Sequence, residues 1–396
     1  MTICGFFSII SSSRWGSSAE RAKRHRKEVS SMEGTRVFSY RELKRATGNF
    51  SSDNKIGEGG FGSVYKGVLP DGTLAAIKVL SAESKQGIDE FMAEITTIAD
   101  IEHENLVKLY GCCAEGIHRI LVYGYLENNS ISKTLLDADN CTIRFSWNTR
   151  RGICIGVAKG LAFLHEEVRP HIVHRDIKAS NILLDRNLKP KISDFGLAKL
   201  FPSNTTHIST RVAGTVGYLA PEYAIRGQLT TKADIYSFGI LILEIVSGRC
   251  NTSKLLSSEQ HFLLEWAWVL HENGELSRLI DKTMDKDCDV EEACRYLKIG
   301  LICTQGMAKL RPSMSTVVRM LKGEVNVERK NIYRPGLLSE FMNLRGGNGG
   351  SKDRNVSKDS SYTISGSGDQ ADSSFSMDDA ATSFATMTFH SMYDDR

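Results

Sequence analysis

No stretch of this 396-residue chain approaches the ~20 consecutive apolar residues that a membrane span needs. The longest apolar run near the start, Ile3 to Ile10, is too short and lacks a preceding basic segment, which argues against a secretory signal. The nine cysteines include one adjacent pair, Cys112-Cys113, and nowhere show the C-x-x-C spacing of a metal site. An odd, scattered set of that kind fits reduced thiols in the cytosol, not a disulfide framework. On that reading the glycosylation patterns at Asn204, Asn251 and Asn355 are chance matches. Threonine at position 2, where glycine would be needed, excludes N-myristoylation. Net charge is only +3, too little to argue for nucleic acid as a partner. Internal repeats are missing as well. What remains is a protein expected to be soluble or merely tethered.

Hydrophobic content of 41% and charged content of 24% are globular values. The length exceeds one ordinary ~100–200-residue domain, so two packed lobes with unstructured ends are expected. Charge is unevenly spread. Arg21, Lys23, Arg24, Arg26 and Lys27 form a basic knot, while the tail after Gly350 holds eight Asp against four Lys or Arg. Residues 1–37 read as a disordered basic arm. Residues 38–47 read as a lead-in helix, with Ser39 as cap and Glu42 three residues on. Strands are expected over 64–69 and 74–80, joined by the turn Pro70-Asp71-Gly72, and again over 107–111 and 120–126. A helix over 87–100 lies between the two pairs. Helices dominate afterwards. Ile153, Val157, Gly160, Leu161 and Leu164 mark one buried face, and further helices are expected over 235–246, 262–270 and 293–303. The domains are thus an N-lobe with its lead-in helix (38–125), a helical C-lobe (126–322), an extension containing Arg334-Pro335-Gly336 (323–345) and a disordered Ser/Asp/Gly-rich tail (346–396).

Within this frame, Gly57-Glu58-Gly59-Gly60-Phe61-Gly62-Ser63-Val64 removes side chains where backbone N–H groups can approach a polyphosphate. A dinucleotide-binding turn would need a helix directly afterwards. Two strands joined by a turn follow instead, so that rival fails. Lys78 sits in a strand otherwise lined by Ala75, Ala76, Ile77, Val79 and Leu80. A lone lysine there is ordinarily a solvated edge residue, but a buried ammonium needs a partner. Glu94 on the next helix is the candidate and Glu90 its nearest competitor; an exposed helix face is the plainer alternative for either. Asp176 can orient and deprotonate a hydroxyl, or simply cap a turn. Asn181 and Asp194 offer hard oxygen donors suited to Mg2+. Trp266, Trp268, His103, His165 and the Cys112-Cys113 pair read as packing or turn residues.

The order of these stretches carries more than any one of them. The glycine-rich loop is followed by Ala76-Ile77-Lys78, Glu94, His174-Arg175-Asp176 with Asn181, Asp194-Phe195-Gly196, Ala220-Pro221-Glu222, Asp234 and Arg311. From about residue 50 to about 321 the chain resembles the protein kinases. That resemblance implies an α+β, bilobal fold with a small β-rich N-lobe, and ATP and Mg2+ as cofactors. Ile56, Val64, Ala76, Tyr123 and Leu126 would then line the nucleotide pocket beside the glycine loop, with Tyr123 guarding its back and Gly124-Tyr125-Leu126 as hinge. Lys78, bridged to Glu94, would meet the α- and β-phosphates, and Asn181 and Asp194 would hold the metal. Asp176 would be the catalytic base, a role worth typically ~10²–10⁴ in rate, with Lys178 supporting the transferred phosphate. Lys178 and the run Gly214-Thr215-Val216-Gly217-Tyr218 resemble the serine/threonine branch. Arg175 would receive a phosphate on the activation segment, where Thr205, Ser209, Thr210 and Thr215 are candidate sites, Ser209 and Thr210 leading because they lie mid-loop beside His207 and Arg211. Asp234 and the Glu222–Arg311 pair would be scaffold.

The wording of Phe38-Ser39-Tyr40-Arg41-Glu42-Leu43, of 118–123, of 197–200 and of 232–239 resembles plant receptor-like kinases, and the missing span suggests their cytoplasmic relatives. Ala75 and Gly124 depart mildly from the usual pattern and leave catalysis credible. The resemblance implies protein substrates, an upstream receptor kinase and a cytoplasmic location. Acylation of Cys4 together with the basic knot, at ~1 kcal/mol per Lys or Arg, would add a peripheral hold on the plasma membrane; a basic arm with no membrane role is the alternative. A pseudokinase-like scaffold in a receptor complex is the rival function.

Overall fold

The structure, a computed structural model, describes residues 36–59, 62–81, 85–137, 143–202, 205–252, 262–284 and 288–337. The basic arm, Cys4, Gly60, Phe61 and the acidic tail lie outside these residues. The chain opens with β1 (Arg36–Val37) and α1 (Tyr40–Ala46). Strands β2 (Lys55–Gly59), β3 (Gly62–Val68) and β4 (Leu74–Leu80) precede α2 (Lys85–Ile98), and β5 (Leu109–Cys113) and β6 (Arg119–Gly124) complete the first lobe. The six strands form one sheet in the order β1-β5-β6-β4-β3-β2. The β3–β4 turn forms where the sequence places it. Gly72 takes a φ of 84°, Leu69 and Thr73 pair at 2.9 Å, and Asp71 Oδ1 accepts from the Thr73 amide at 3.0 Å.

Because side chains alternate across a strand, β4 and β6 bury two separate layers. Leu80, Leu121, Tyr123 and Cys112 face the main core, under α2. Ala75, Ile77, Ile120, Val122 and Cys113 face outward into a second cluster, closed by Phe38, Leu43 and Leu69. The lead-in segment is the lid of that second cluster. Its helix carries the expected capping box, with the Glu42 amide donating to Ser39 Oγ at 3.2 Å and the Ser39 amide to Glu42 Oε2 at 2.7 Å. Tyr40 stacks on His118 with ring centroids 3.7 Å apart. Arg36 and Val37, read from sequence as the end of the arm, pair in parallel with β5. Gly111 makes that approach possible: at a φ of 156°, a Cβ there would lie 2.0 Å from the Arg36 carbonyl.

The second lobe is mainly helical. Helix α3 (Ile131–Thr134) leads to α4 (Trp147–Ala162), whose sequence-predicted face is buried, and a π-helical turn (Phe163–Glu167) carries His165 inward. Short strands β7 (His171–Val173), β8 (Ile182–Leu184), β9 (Pro190–Ile192) and β10 (Lys199–Phe201) follow. They pair as two-stranded ribbons, β8 with β9 and β7 with β10. Gly156 lets β9 sit against α4, since a Cβ there would lie 2.5 Å from Pro190 Cγ. Beyond β11 (Ile208–Ser209), α5 (Pro221–Arg226) and β12 (Gln228–Leu229) comes α6 (Thr231–Ser247), buried on every side from Ala233 to Ser247. Helices α7 (Leu263–Glu272), α8 (Val290–Cys303) and α9 (Met314–Leu321) pack around it. Among the described residues, no helix is long and apolar enough to cross a membrane.

Phe38 is buried to 2% exposure although it precedes the sheet's main strands. Phe38→Ala should destabilise the protein by about 3–5 kcal/mol in urea unfolding, the usual result for a buried phenylalanine. A loss below ~1 kcal/mol would mean the lid is not packed in solution.

Candidate active site

The β4 register sets Lys78 opposite Val64 on one side and Leu121 on the other. From that position its ammonium lies 2.8 Å from Glu94 Oε1 on α2 and 2.8 Å from Asp194 Oδ1. Glu94, not Glu90, is therefore the lysine's partner. Burial favours the neutral amine, but the two carboxylates outweigh it and raise the Lys78 pKa. Burial likewise pushes Asp194 up, yet Lys78 overrides it and holds the carboxyl below its ordinary value. The second Glu94 oxygen accepts a hydrogen bond from the Tyr123 hydroxyl. Burial and the neighbouring Glu94 charge push that phenol well above its usual pKa, so it remains a donor. Sequence reading placed Tyr123 at the back of the pocket and missed this bond.

Asp194 has a left-handed backbone, with φ 66° and ψ 72°, and Phe195 beside it is fully buried against the His174 ring at 4.7 Å. Gly196 follows where a Cβ would sit 3.2 Å from Glu90 Cγ, so α2 presses directly on this turn. The loop bearing Asp176 is held from below. Asp234, completely buried at the start of α6, accepts the His174 and Arg175 amides at 2.8 Å each and His165 Nε2 at 2.8 Å. Burial would raise its pKa, but His165 and the His174 amide outweigh this and lower it.

The Asp176 carboxylate is thereby fixed within a small network. Its Oδ2 accepts from Asn181 Nδ2 at 3.0 Å and lies 3.1 Å from Lys178 Nζ. Its Oδ1 accepts the Thr215 hydroxyl at 2.6 Å, and that hydroxyl accepts from Lys178 Nζ at 2.9 Å. Asn181 also donates to the Asp176 carbonyl at 2.9 Å. With its amide nitrogen turned to Asp176, Asn181 keeps its oxygen for another partner. That oxygen and the ionised Asp194 form a hard donor set of the kind Mg2+ takes.

In the glycine loop, β2 and β3 pair from Gly57 opposite Val64, through Glu58 opposite Ser63, to Gly59 opposite Gly62. At Gly62, with a φ of 137°, a Cβ would lie 2.0 Å from the Val79 carbonyl. At Gly59 it would meet nothing within 4 Å, which leaves the backbone open to a ligand. Ile56 is exposed, while Val64, Ala76 and Leu126 are half-buried.

Arg175, beside Asp176, is bonded to the activation segment. Its guanidinium donates to the Leu197 carbonyl at 3.0 Å, the Arg211 carbonyl at 2.8 Å and the Tyr223 hydroxyl at 2.6 Å. It thus ties the two ends of the activation segment together through the protein's own acceptors. Thr205 and Ser209 are exposed and Thr210 is half-buried, whereas Thr215 is the residue engaged with Asp176. Arg311 grips both Glu222 oxygens, at 2.7 and 2.8 Å.

Glu244 went unnoticed in the sequence. It is buried on α6, accepts the Tyr218 hydroxyl at 2.7 Å and the Asn251 amide at 2.8 Å, and so anchors the loop that carries Thr215. Asn251 Nδ2 in turn holds the Gly217 carbonyl at 2.8 Å. No spacing rule marks such a residue, since it reads as one polar position in an apolar helix.

The protein kinase domain family matches residues 50–319. Cold-responsive protein kinase 1 of Arabidopsis thaliana is 66% identical over 320 residues, covering 80% of this chain and 82% of that protein. Two probable LRR receptor-like serine/threonine-protein kinases of the same plant are 56% identical over 300 residues and 55% over 305. Those matches cover 76% and 77% of this chain but only 29% of either receptor. The chain belongs to the protein kinase superfamily, as a plant member.

Burial pushes the Glu244 carboxyl up to about 7 from an ordinary 4.5. Its raised pKa contributes stability that is present below 4.5 and lost as the pH rises through about 7. Glu244→Gln should therefore gain on the parent in urea midpoint between pH 5 and pH 8. A constant difference across that range would contradict the assignment.

Proposed function

We propose that this chain is a Mg·ATP-dependent kinase that transfers the γ-phosphate to serine or threonine of protein substrates in plant signalling. One observation carries the reading: two networks, a doubly paired ammonium at Lys78 with Asp194 and a carboxylate at Asp176 that accepts both Asn181 and an alcohol, meet where the amide of Ser193, next to Asp194, donates to the Asn181 carbonyl at 2.9 Å. Asp176 accepts the Thr215 hydroxyl through Oδ1, and a substrate hydroxyl would offer its proton to the same oxygen. Lys178, bound to both Asp176 and Thr215, places a positive charge where negative charge gathers during transfer. Lys78, fixed by Glu94, is set for the nucleotide's phosphates, and open backbone at Gly59 would lie over them. Bound Mg2+ would bridge and neutralise phosphate oxygens, held by Asn181 and Asp194.

The finer readings rest on similarity and on sequence. Likeness to Cold-responsive protein kinase 1 supports a part in cold or stress responses, and likeness to receptor kinases supports an upstream receptor kinase as activator. Exposure of Thr205 and Ser209 supports these two as phosphorylation sites ahead of Thr215. Cytoplasmic residence with a peripheral hold through Cys4 and the basic knot completes the proposal; Cys4→Ser should shift the protein from the membrane to the soluble fraction of cells, and an unchanged distribution would end the acyl idea. A scaffold without catalysis would be favoured by loss of Lys78, Asp176 or Asp194, and all three are present.

Purified protein with Mg·ATP should incorporate phosphate on serine or threonine. Asp194→Asn should lower incorporation by at least ~100-fold, the scale of a metal-binding carboxylate's share in transition-state charge stabilisation. Equal incorporation by parent and variant would overturn the role given to Asp194.

A further inference from the structure

The family match ends at residue 319, yet the ordered chain continues past α9 and returns to the base of the second lobe. Residues 333–337 are fastened there by backbone bonds. The Gly306 amide donates to the Arg334 carbonyl and the Gly336 amide to the Thr304 carbonyl, both at 3.1 Å, with Gln305 and Pro335 paired as an antiparallel bridge. The Tyr236 hydroxyl, reaching out from α6, donates to the Gly336 carbonyl at 2.7 Å. Just upstream, the chain crosses two clefts of about 330 and 360 Å³ that share Lys330 and Asn331, so this stretch is gripped at its end more than along its length.

We propose that residues 333–337 are a positioning strap for Pro221 and, through it, for the substrate-facing end of the activation segment. The contact is close. A Cβ at Gly336 would lie 3.0 Å from Pro221 Cγ and 3.1 Å from Gly306 Cα, so any side chain there would press on the first residue of α5. The same loop is also gripped by Arg311, whose Nε donates to the Gln305 carbonyl at 2.8 Å while its other nitrogens hold Glu222. Arg311 also lies over the Tyr236 ring, 5.0 Å from its centroid. Strap and ion pair therefore converge on one short helix. Through Tyr223 that helix reaches Arg175, the neighbour of Asp176.

This inference rests on the kinase reading for its activity readout, and a second readout keeps the two separable. In the full chain, Gly336→Val should raise KM for a peptide substrate about fivefold while KM for ATP stays within about twofold, because α5 bonds through Tyr223 to Ala213 and Arg175, beside the loop that holds Thr215 against Asp176. Tyr236→Phe, which removes one hydroxyl and leaves the packing intact, should act in the same direction. The double variant should add less than the sum of the two, as expected for groups sharing one contact. Independently of activity, amide exchange at Tyr223, Ala224 and Gly227, whose bonds hold α5, should quicken about tenfold in Gly336→Val. A parent that transfers no phosphate would defeat the kinase reading, and exchange would still decide the strap. Unchanged exchange in both variants, or peptide and ATP constants shifting together, would overturn it.

Discussion

One carboxylate holds the reaction centre to the fold. Asp234 lies in the driest part of the second lobe, and its two oxygens take the consecutive amides of His174 and Arg175 as well as His165. An unpaired charge at that depth would be severely unfavourable, so the loop and the helix depend on each other. Asp176 is the next residue along. Two backbone bonds made by its neighbours set its place in the chain, and Asn181, Lys178 and Thr215 then orient its carboxylate. The left-handed conformation of Arg175, with φ 72°, belongs to the same arrangement.

Helix α6 extends this logic along its length. Asp234 fixes the catalytic loop at one end, and Tyr236 meets the returning C-terminal chain. Ser237 Oγ donates to the Tyr218 carbonyl at 2.7 Å, and Glu244 takes the Tyr218 hydroxyl at the far end. Between them Gly239 faces Gly300 of α8, where a Cβ would come within 2.7 Å of the Gly300 carbonyl. A helix buried all round would ordinarily be apolar throughout. This one keeps Asp234, Tyr236, Ser237 and Glu244 among its buried residues, and each of these is bonded to the catalytic loop, the loop that carries Thr215 or the strap.

Much of the site was legible because its chemistry fixes residue types at fixed spacing. Lys78, Glu94, Asp176, Asn181 and Asp194 were singled out that way, and the structure sets them in two adjoining hydrogen-bonded networks. The capping box of α1 and the β3–β4 turn were legible because both are local, made by residues two to four apart. What escaped notice depends on distant partners. The bond from Tyr123 to Glu94 spans 29 residues, and that from Tyr236 to Gly336 spans 100. Strand β1 is two residues long, too short to show any period. The bonds from Arg175 to the carbonyls of Leu197 and Arg211, 22 and 36 residues away, were equally hidden. Thr215 was grouped with the modifiable hydroxyls because composition does not reveal which one touches Asp176.

The double-layered sheet has a consequence for how the first lobe finds its correct alignment. Sliding β4 by a single position against β6 would exchange its two faces. Lys78 would then point into the oily layer beneath Phe38 and Leu43, stranding an ammonium among hydrocarbon, while Ile77 would meet the carboxylates. The lead-in segment therefore acts as a proofreader of strand alignment: by demanding an apolar surface on its side, it leaves the nucleotide side as the one place where the lysine can go.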